Sequence, residues 1–435
     1  MNKMMSLIAV VVVAMVIVAG IALVVGGNDK DQYRSTATGR LVVYGNTDNN
    51  DYLDNDDLEA LKKIVEDGNW NKAKYPFADA NTDGKVDQSD VDYLQKLLNK
   101  EPSLMYYLDF HGTISSMNYP FNGKVAVTYD YGYMVCQTLG IYDKIVAANQ
   151  YSINLSEGRY PGCKSLINLG DTTNDIPTAI ERILKTDVTV VIGVYNTVKL
   201  QEQLKPYGID FLTISYTNKS ADGATSVSGI ITTGVLLSCE EKANSFAKYY
   251  DDMTKYIEEK AEQVPPGTYV MPLNTSSYEE TSVDTTGANG NMFGDVYCIS
   301  HLPMTDLSKP LGSGCYTVSM EDIILADPDY IIISMWATIT DVTPAAEGQK
   351  LFQDKCKYFR DTNAYKNGKI FGICYESYGT YLGLSGLTLL GSYIWPEIFD
   401  EEYGWEQLQY CFDNFTLLNE DVRDCGGIIS YKMQT

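Results

Sequence analysis

The chain has 435 residues, 45% of them hydrophobic and 21% charged, which is enough for one large or two to three ordinary globular domains with buried cores. Its formal net charge is -24, from 57 acidic against 33 basic residues, so most of the surface repels nucleic acid and favours cations. Nine cysteines occur without a single C-x-x-C pair, which argues against zinc ribbons, iron–sulfur ligation and thioredoxin-like chemistry.

Only Lys3 precedes the apolar run from Leu7 to Val25, which carries no charge. A secretory signal has a core of roughly 7–15 residues and a small-residue cleavage site, whereas this run is long enough to span a bilayer. The expectation is therefore an uncleaved N-terminal transmembrane helix within residues 1–27, preferred over a cleaved signal. The chain would then reside in the cell membrane through that single anchor, with its functional domains outside the cytoplasm. A linker follows at 28–39.

Two segments further on share one pattern. Asn46, Asp48 and Asn50 with Asp54 and Asp57 form the first; Asp79, Asn81, Asp83 and Gly84 with Asp87 and Asp90 form the second. Each leads into an apolar-periodic helix, through Leu58, Leu61 and Ile64 or Val91, Leu94 and Leu97. Ca²⁺ takes six to eight oxygens, and a twelve-residue loop supplies them from positions one, three, five, seven, nine and twelve. In the second loop these are Asp79, Asn81, Asp83, the Lys85 carbonyl, Asp87 and Asp90, with Gly84 at the sharp sixth position. The first loop is looser, with Asp51 where glycine is expected. The plainer reading is a pair of acidic turns capping helices. The paired arrangement over residues 40–101, with Asp closing each loop, resembles a dockerin module. That resemblance implies a small all-α unit with one or two structural calcium ions and a cohesin-type protein as partner. A linker at 102–121 ends it.

From about residue 122 short β-branched runs alternate with amphipathic stretches, the pattern of parallel α/β layers. Expected strands are Lys124–Thr128, Lys144–Ala148, Val188–Gly193, Phe211–Ile214, Thr268–Leu273, Tyr330–Ser334 and Lys369–Cys374. A long helix over 230–264, stopped by Pro265-Pro266-Gly267, separates an N-lobe at 122–229 from a C-lobe at 265–400; a tail at 401–435 packs on the C-lobe. The halves echo each other, since Glu181-Arg-Ile-Leu-Lys-Thr-Asp187 recurs as Glu321-Asp-Ile-Ile-Leu-Ala-Asp327, each before an apolar strand.

Together with Leu139-Gly-Ile-Tyr-Asp-Lys-Ile-Val146, Val318-Ser-Met-Glu321 and Ala364-Tyr-Lys-Asn-Gly-Lys-Ile-Phe371, these segments resemble the class III solute-binding proteins of ABC importers, from about Gly123 to Phe399. The resemblance implies two Rossmann-like lobes joined by one backbone helix, with an iron-siderophore, haem or cobalamin/corrinoid complex held in the cleft. It also implies that Glu181 and Glu321 dock onto the transporter's permease subunits, although a carboxylate at a helix start is favourable in any protein.

Ligands of open α/β sheets gather beyond the carboxyl ends of strands. Those ends offer Tyr129, Tyr131, Tyr151, Tyr195 and Asn196, then Met292, Phe293, Trp336 and Tyr378. Flat aromatic faces suit a planar or macrocyclic guest. Acidic and tyrosine groups favour a near-neutral corrinoid or a cationic complex over a strongly anionic siderophore, though Arg159 and Lys164 could offset this locally. Of the two histidines, His301 could ligate a metal centre and His111 has no assigned role. No phosphate loop or H-E-x-x-H is present, and Gly383-Leu-Ser-Gly386 misses a G-x-S-x-G elbow by one residue, so no catalytic residue is named and the protein is not expected to be an enzyme. The competing readings are a cell-surface scaffold or adhesion protein working through the dockerin-like module, and a chelatase-like tetrapyrrole enzyme.

Overall fold

The computed structural model describes residues 34–109, 112–193, 198–213, 224–278, 282–286, 304–307, 315–335, 345–374, 377, 382–424 and 428–430. Helices α1 (Asn55–Asp67) and α2 (Gln88–Leu98) pack together around Leu58, Leu61, Ile64, Val91 and Leu94, the positions whose spacing shares one face. Each opens on a reciprocal cap: Asp54 with Asp57 for α1, Asp87 with Asp90 for α2. Where a linker was expected, strands β1 (Ser103–Leu108) and β2 (Ile114–Tyr119) form an antiparallel hairpin. Met105, Tyr107, Met117 and Tyr119 turn inward from it at every second position, the period that buries one face of a strand.

The first sheet is wholly parallel. Its strands are β3 (Lys124–Val127), β4 (Ile145–Ala148), β5 (Ile167–Asn168), β6 (Val188–Gly193) and β7 (Asp210–Thr213), in the order β5-β4-β3-β6-β7. Helices α3 (Asp130–Thr138), α4 (Gln150–Ile153), α5 (Ile176–Ile183) and α6 (Val198–Leu204) connect them. Because the chain leaves β3 toward β4 on one side and later lays β6 on the other, a crevice opens at the carboxyl ends between β3 and its neighbours.

The expected single connecting helix is two, α7 (Ala224–Leu236) and α8 (Glu240–Ala261). The break falls at Ser238, whose φ of 57° is left-handed and cannot continue a helix. Beside the break the two helices come so close that a Cβ on Gly234 would lie 2.3 Å from the Ala243 Cβ.

Among the described residues the second sheet has seven strands and is mixed. Parallel β8 (Thr268–Tyr278), β10 (Met304–Asp306), β12 (Tyr330–Met335) and β13 (Ile370–Cys374) are flanked by antiparallel β9 (Ser282–Thr286) and β14 (Ile428–Ser430), and β11 (Cys315–Ser319) pairs antiparallel with β9 at the edge. Helices α9 (Met320–Ala326), α10 (Ala345–Cys356), α11 (Asn363–Lys366), α12 (Leu384–Ile394) and α13 (Glu401–Phe415) complete the chain. The tail does more than rest on the second lobe. Phe415 of α13 meets Phe246 and Tyr249 of α8 edge-on or tilted at 5.3 Å, and its carbonyl accepts from the Thr138 hydroxyl of α3. A single buried core thus runs from Val125 and Val127 through Phe246 and Met253 to Ile332, Phe371, Leu390 and Phe412.

The expected membrane location is corrected. No helix among the described residues is long and apolar enough to cross a membrane, and the run from Leu7 to Val25 lies outside the described residues.

Candidate functional site

Strand β3 ends at Val127, where the carbonyl accepts from the Asn149 amide while the Thr128 amide donates to the Ile192 carbonyl of β6. Three strand ends are thereby drawn together. Tyr129 is the extended residue that precedes α3, Tyr131 lies in the first turn of α3, and Tyr151 lies on α4, whose start is capped by the Asn149 side chain accepting from the Ser152 amide. The three rings form a ladder: Tyr129 stacks on Tyr151 with centroids 5.0 Å apart and planes 12° from parallel, and on Tyr131 at 5.8 Å and 27°. Tyr151 is 48% exposed, so the ladder reaches solvent at the carboxyl ends of the strands.

The polar surroundings were less legible. Arg159, expected to bring positive charge to the cleft, is largely buried, with its guanidinium 3.8 Å from the Asp130 carboxylate and over the Tyr160 ring. Its charge is largely spent inside the wall. Asn149 and Thr172, whose hydroxyl approaches the Thr128 carbonyl at 3.5 Å, shape the strand ends but carry no periodic signature that would have revealed them. Behind Arg159 a cavity of about 20 Å³ between α3 and α13 has room for a water and no more. A hollow of about 370 Å³ lies among Trp405, Tyr410 and Arg423, on α13 and the segment after it rather than at strand ends.

Tyr195, Asn196, Met292, Phe293, Trp336 and Tyr378, like both histidines, lie outside the described residues. The strands that precede Trp336 and Tyr378, β12 and β13, do run in register, with Met335 opposite Cys374 at the carboxyl ends. Ser385 of the near-miss elbow is fully buried and its hydroxyl donates to the Leu382 carbonyl; Gly386 is needed because a Cβ there would lie 1.6 Å from the Ser377 carbonyl oxygen.

The two acidic loops share the bonds to their closing carboxylates. The Asp48 and Asp54 amides donate to the Asp57 carboxylate at 3.1 and 2.9 Å, and the Asn81 and Asp87 amides donate to Asp90 at the same distances. Asn49 and Thr82, each fourth in its loop, are both left-handed at φ 62° and 60°. In the second loop Asp79 accepts from the Asp83 and Gly84 amides, and Gly84 turns at φ 91° as its position requires. Burial raises the Asp79 and Asp90 carboxyls above their ordinary range, Asp83 adding repulsion to both. In the first loop burial, with Asp48 and Asp54 nearby, pushes Asp57 up to about 8, against the pull of its two amide donors. Asn46 is fully buried; its amide group donates to the Leu41 and Asn50 carbonyls, while its Oδ1 has no hydrogen-bond partner. Among the described residues no three Asp, Glu, His or Cys side chains stand together as a metal set, so amide and carbonyl oxygens would have to complete any shell.

Glu181 and Glu321 do not occupy matching helix starts. Glu321 is the second residue of α9, but Glu181 lies in the last turn of α5, because Asp175 and Pro177 begin that helix earlier. Glu181 is exposed and pairs with Lys185 at 2.5 Å, which holds its carboxyl below the ordinary range. Three residues beyond each glutamate, Leu184 and Ile324 are each 41% exposed.

A family model described as periplasmic binding protein matches residues 125–374, more than half of the chain. No curated protein sequence matches it. Among solved structures, a TroA-like periplasmic binding protein FepB from Veillonella parvula is similar at 12% identity and a TM-score of 0.60, over 75% of this chain and 99% of that one. A periplasmic solute binding protein from the same organism gives 19%, 0.57, 74% and 97%. MolA of Haemophilus influenzae, described as a molybdate periplasmic binding protein, gives 15%, 0.55, 71% and 97%. At these identities the likeness is one of fold.

Proposed function

The chain belongs to the periplasmic binding protein family, and on that premise we propose that it is the extracytoplasmic receptor of an ABC importer, capturing a metal complex and delivering it to the permease. A solute-binding role is the family's own; the metal complex and the permease are our reading. One observation carries it: the ladder of Tyr129, Tyr131 and Tyr151 at the carboxyl ends of adjacent parallel strands. Stacked rings offer a rigid, flat, hydroxyl-edged wall that buries a macrocycle's face at low conformational cost. MolA, of similar fold, is bound to molybdate. Here the net charge of -24 disfavours an oxyanion and favours a near-neutral or cationic guest, such as a corrinoid or haem, above an anionic iron-siderophore.

Glu181 and Glu321 are the carboxylates assigned to the permease contact, supported by their exposure and by the recurrence of the sequence segment that each opens, although they sit at opposite ends of their helices. Structural calcium is assigned to the acidic loops, supported in the first by the buried Asn46 oxygen that lacks a partner and by the crowding of Asp48, Asp54 and Asp57. A cohesin-type partner is not carried forward, because Leu41, Val43 and Leu97 are buried in the core shared with the lobes and so that segment is no free-standing docking module.

The test is titration of the full chain with cyanocobalamin, haemin and a ferric catecholate, followed by tyrosine and tryptophan fluorescence. Micromolar or tighter binding of the corrinoid or haemin, weakened about tenfold by Tyr151→Ala, is expected. Saturable binding of none of the three would sink the metal-complex reading.

A further inference from the structure

The residues just before the first acidic loop form a strap across both lobe-joining helices. Leu41 and Val43 are fully buried. The Arg40 carbonyl accepts from the Ser228 hydroxyl at 2.5 Å and the Val42 amide donates to the Thr232 hydroxyl at 3.3 Å, both on α7. The Arg40 guanidinium then reaches α8, donating to Asp251 at 2.6 and 3.0 Å, and also grips Asp51 inside the loop through Nε at 3.1 Å and through Nη2.

Asp51 holds the sixth position, where the second loop has Gly84. In the second loop that residue is exposed and a Cβ on it would meet nothing within 4 Å; in the first it is 1% exposed and bound to arginine. The departure from the calcium-loop pattern is therefore an anchor point. Burial opposes the guanidinium charge, but hydrogen bonds to Asp51 and Asp251 outweigh it and hold Arg40 above its ordinary range, so the bridge is permanently charged.

We propose that the first loop is a cation-controlled brace on α8, in which a divalent cation taken at the Asn46 oxygen orders residues 46–57 and fixes Asp51, and Arg40 passes that order to Asp251. The inference rests on the calcium reading above and adds its consequence: ion occupancy sets the rigidity of the helix that joins the lobes. Since coupling between two binding events is reciprocal, whatever factor calcium adds to solute affinity, solute adds to calcium affinity.

The experiment is calcium titration of the full chain by calorimetry, with amide hydrogen exchange of residues 240–261 at each end of the titration, on wild type, Asn46→Ala and Asp251→Asn. Calcium is expected to slow exchange in α8 by about tenfold or more in the wild type, a factor within the usual range of coupling between sites. Asn46→Ala should lose one bound ion together with the slowing. Asp251→Asn should bind calcium within about threefold of wild type yet lose most of the slowing, since Arg40 keeps its ion pair with Asp51 but is left with at most one neutral amide acceptor on α8 in place of a charged fork. Slowing that persists undiminished in Asp251→Asn, or calcium bound through Asn46 without any change in α8, overturns the brace alone. Absence of calcium binding in the wild type overturns the brace and the calcium reading together.

Discussion

Arg40 and Asp251 lie 211 positions apart in the chain, yet the guanidinium of one and the carboxylate of the other make a two-bonded ion pair at 2.6 and 3.0 Å, with Asp51 completing the triad. Arg40 is only 11% exposed and Asp51 1%, so removing the arginine strands a carboxylate out of water. Such a loss costs about 3–5 kcal/mol. Arg40→Ala should lower the urea midpoint accordingly, and Arg40→Lys should recover only part, because an ammonium cannot fork across two carboxylates. An unchanged midpoint would show that the strap contributes no stability.

The tyrosine ladder lends itself to a double-mutant cycle. Tyr129 and Tyr151 stack almost in parallel, and aromatic pairs are worth about 0.5–1.5 kcal/mol beyond their buried area. Tyr151→Phe should keep corrinoid or haem affinity within about threefold, while Tyr151→Ala and Tyr129→Ala together should lose less than the sum of the single losses. Strict additivity in fluorescence titrations would show that the rings act apart.

For the permease contact, Glu181→Ala with Glu321→Ala should leave solute affinity in place and reduce uptake into cells or proteoliposomes, as expected of rim charges that steer a partner. Both side chains lie on the surface rather than at the strand ends, so a loss of solute binding in the double variant would contradict the assignment.

Chelation offers a further check. An ion bound only to the folded state adds about 2.7 kcal/mol when its free concentration is one hundred times Kd. A chelator should lower Tm, and added calcium should restore it. Asn46→Ala should show a smaller shift than wild type, because the buried acceptor is gone. Equal melting with calcium and with chelator would count against structural calcium in either loop.

Much of this was legible along the chain. Each expected strand has its counterpart, the last two ending within a residue at Met335 and Cys374, because an apolar run bounded by turn residues has few other places to go. The paired loops were also legible, since their capping boxes and left-handed fourth residues depend on neighbours a few positions away. Tyr129, Tyr131 and Tyr151 could be picked out from their position after β3 and β4.

Interactions that close over long separations were not. A continuous helix over 230–264 agrees with local propensity, and only the approach of Gly234 to Ala243 and the left-handed Ser238 break it. Arg159 reads as a free cation until the fold brings Asp130 beside it, and Asp51 reads as a poor loop residue until Arg40 and Asp251 meet it. The sequence by itself determined the alternating α/β lobes with their parallel central strands, the duplicated acidic loops and the aromatic strand ends, because periodicity, caps and turns act within a few residues. The tertiary structure alone decided which charges are neutralised, where the joining helix divides and that the loop pair shares the lobes' core, because burial and ion pairing depend on partners that only the folded chain brings together.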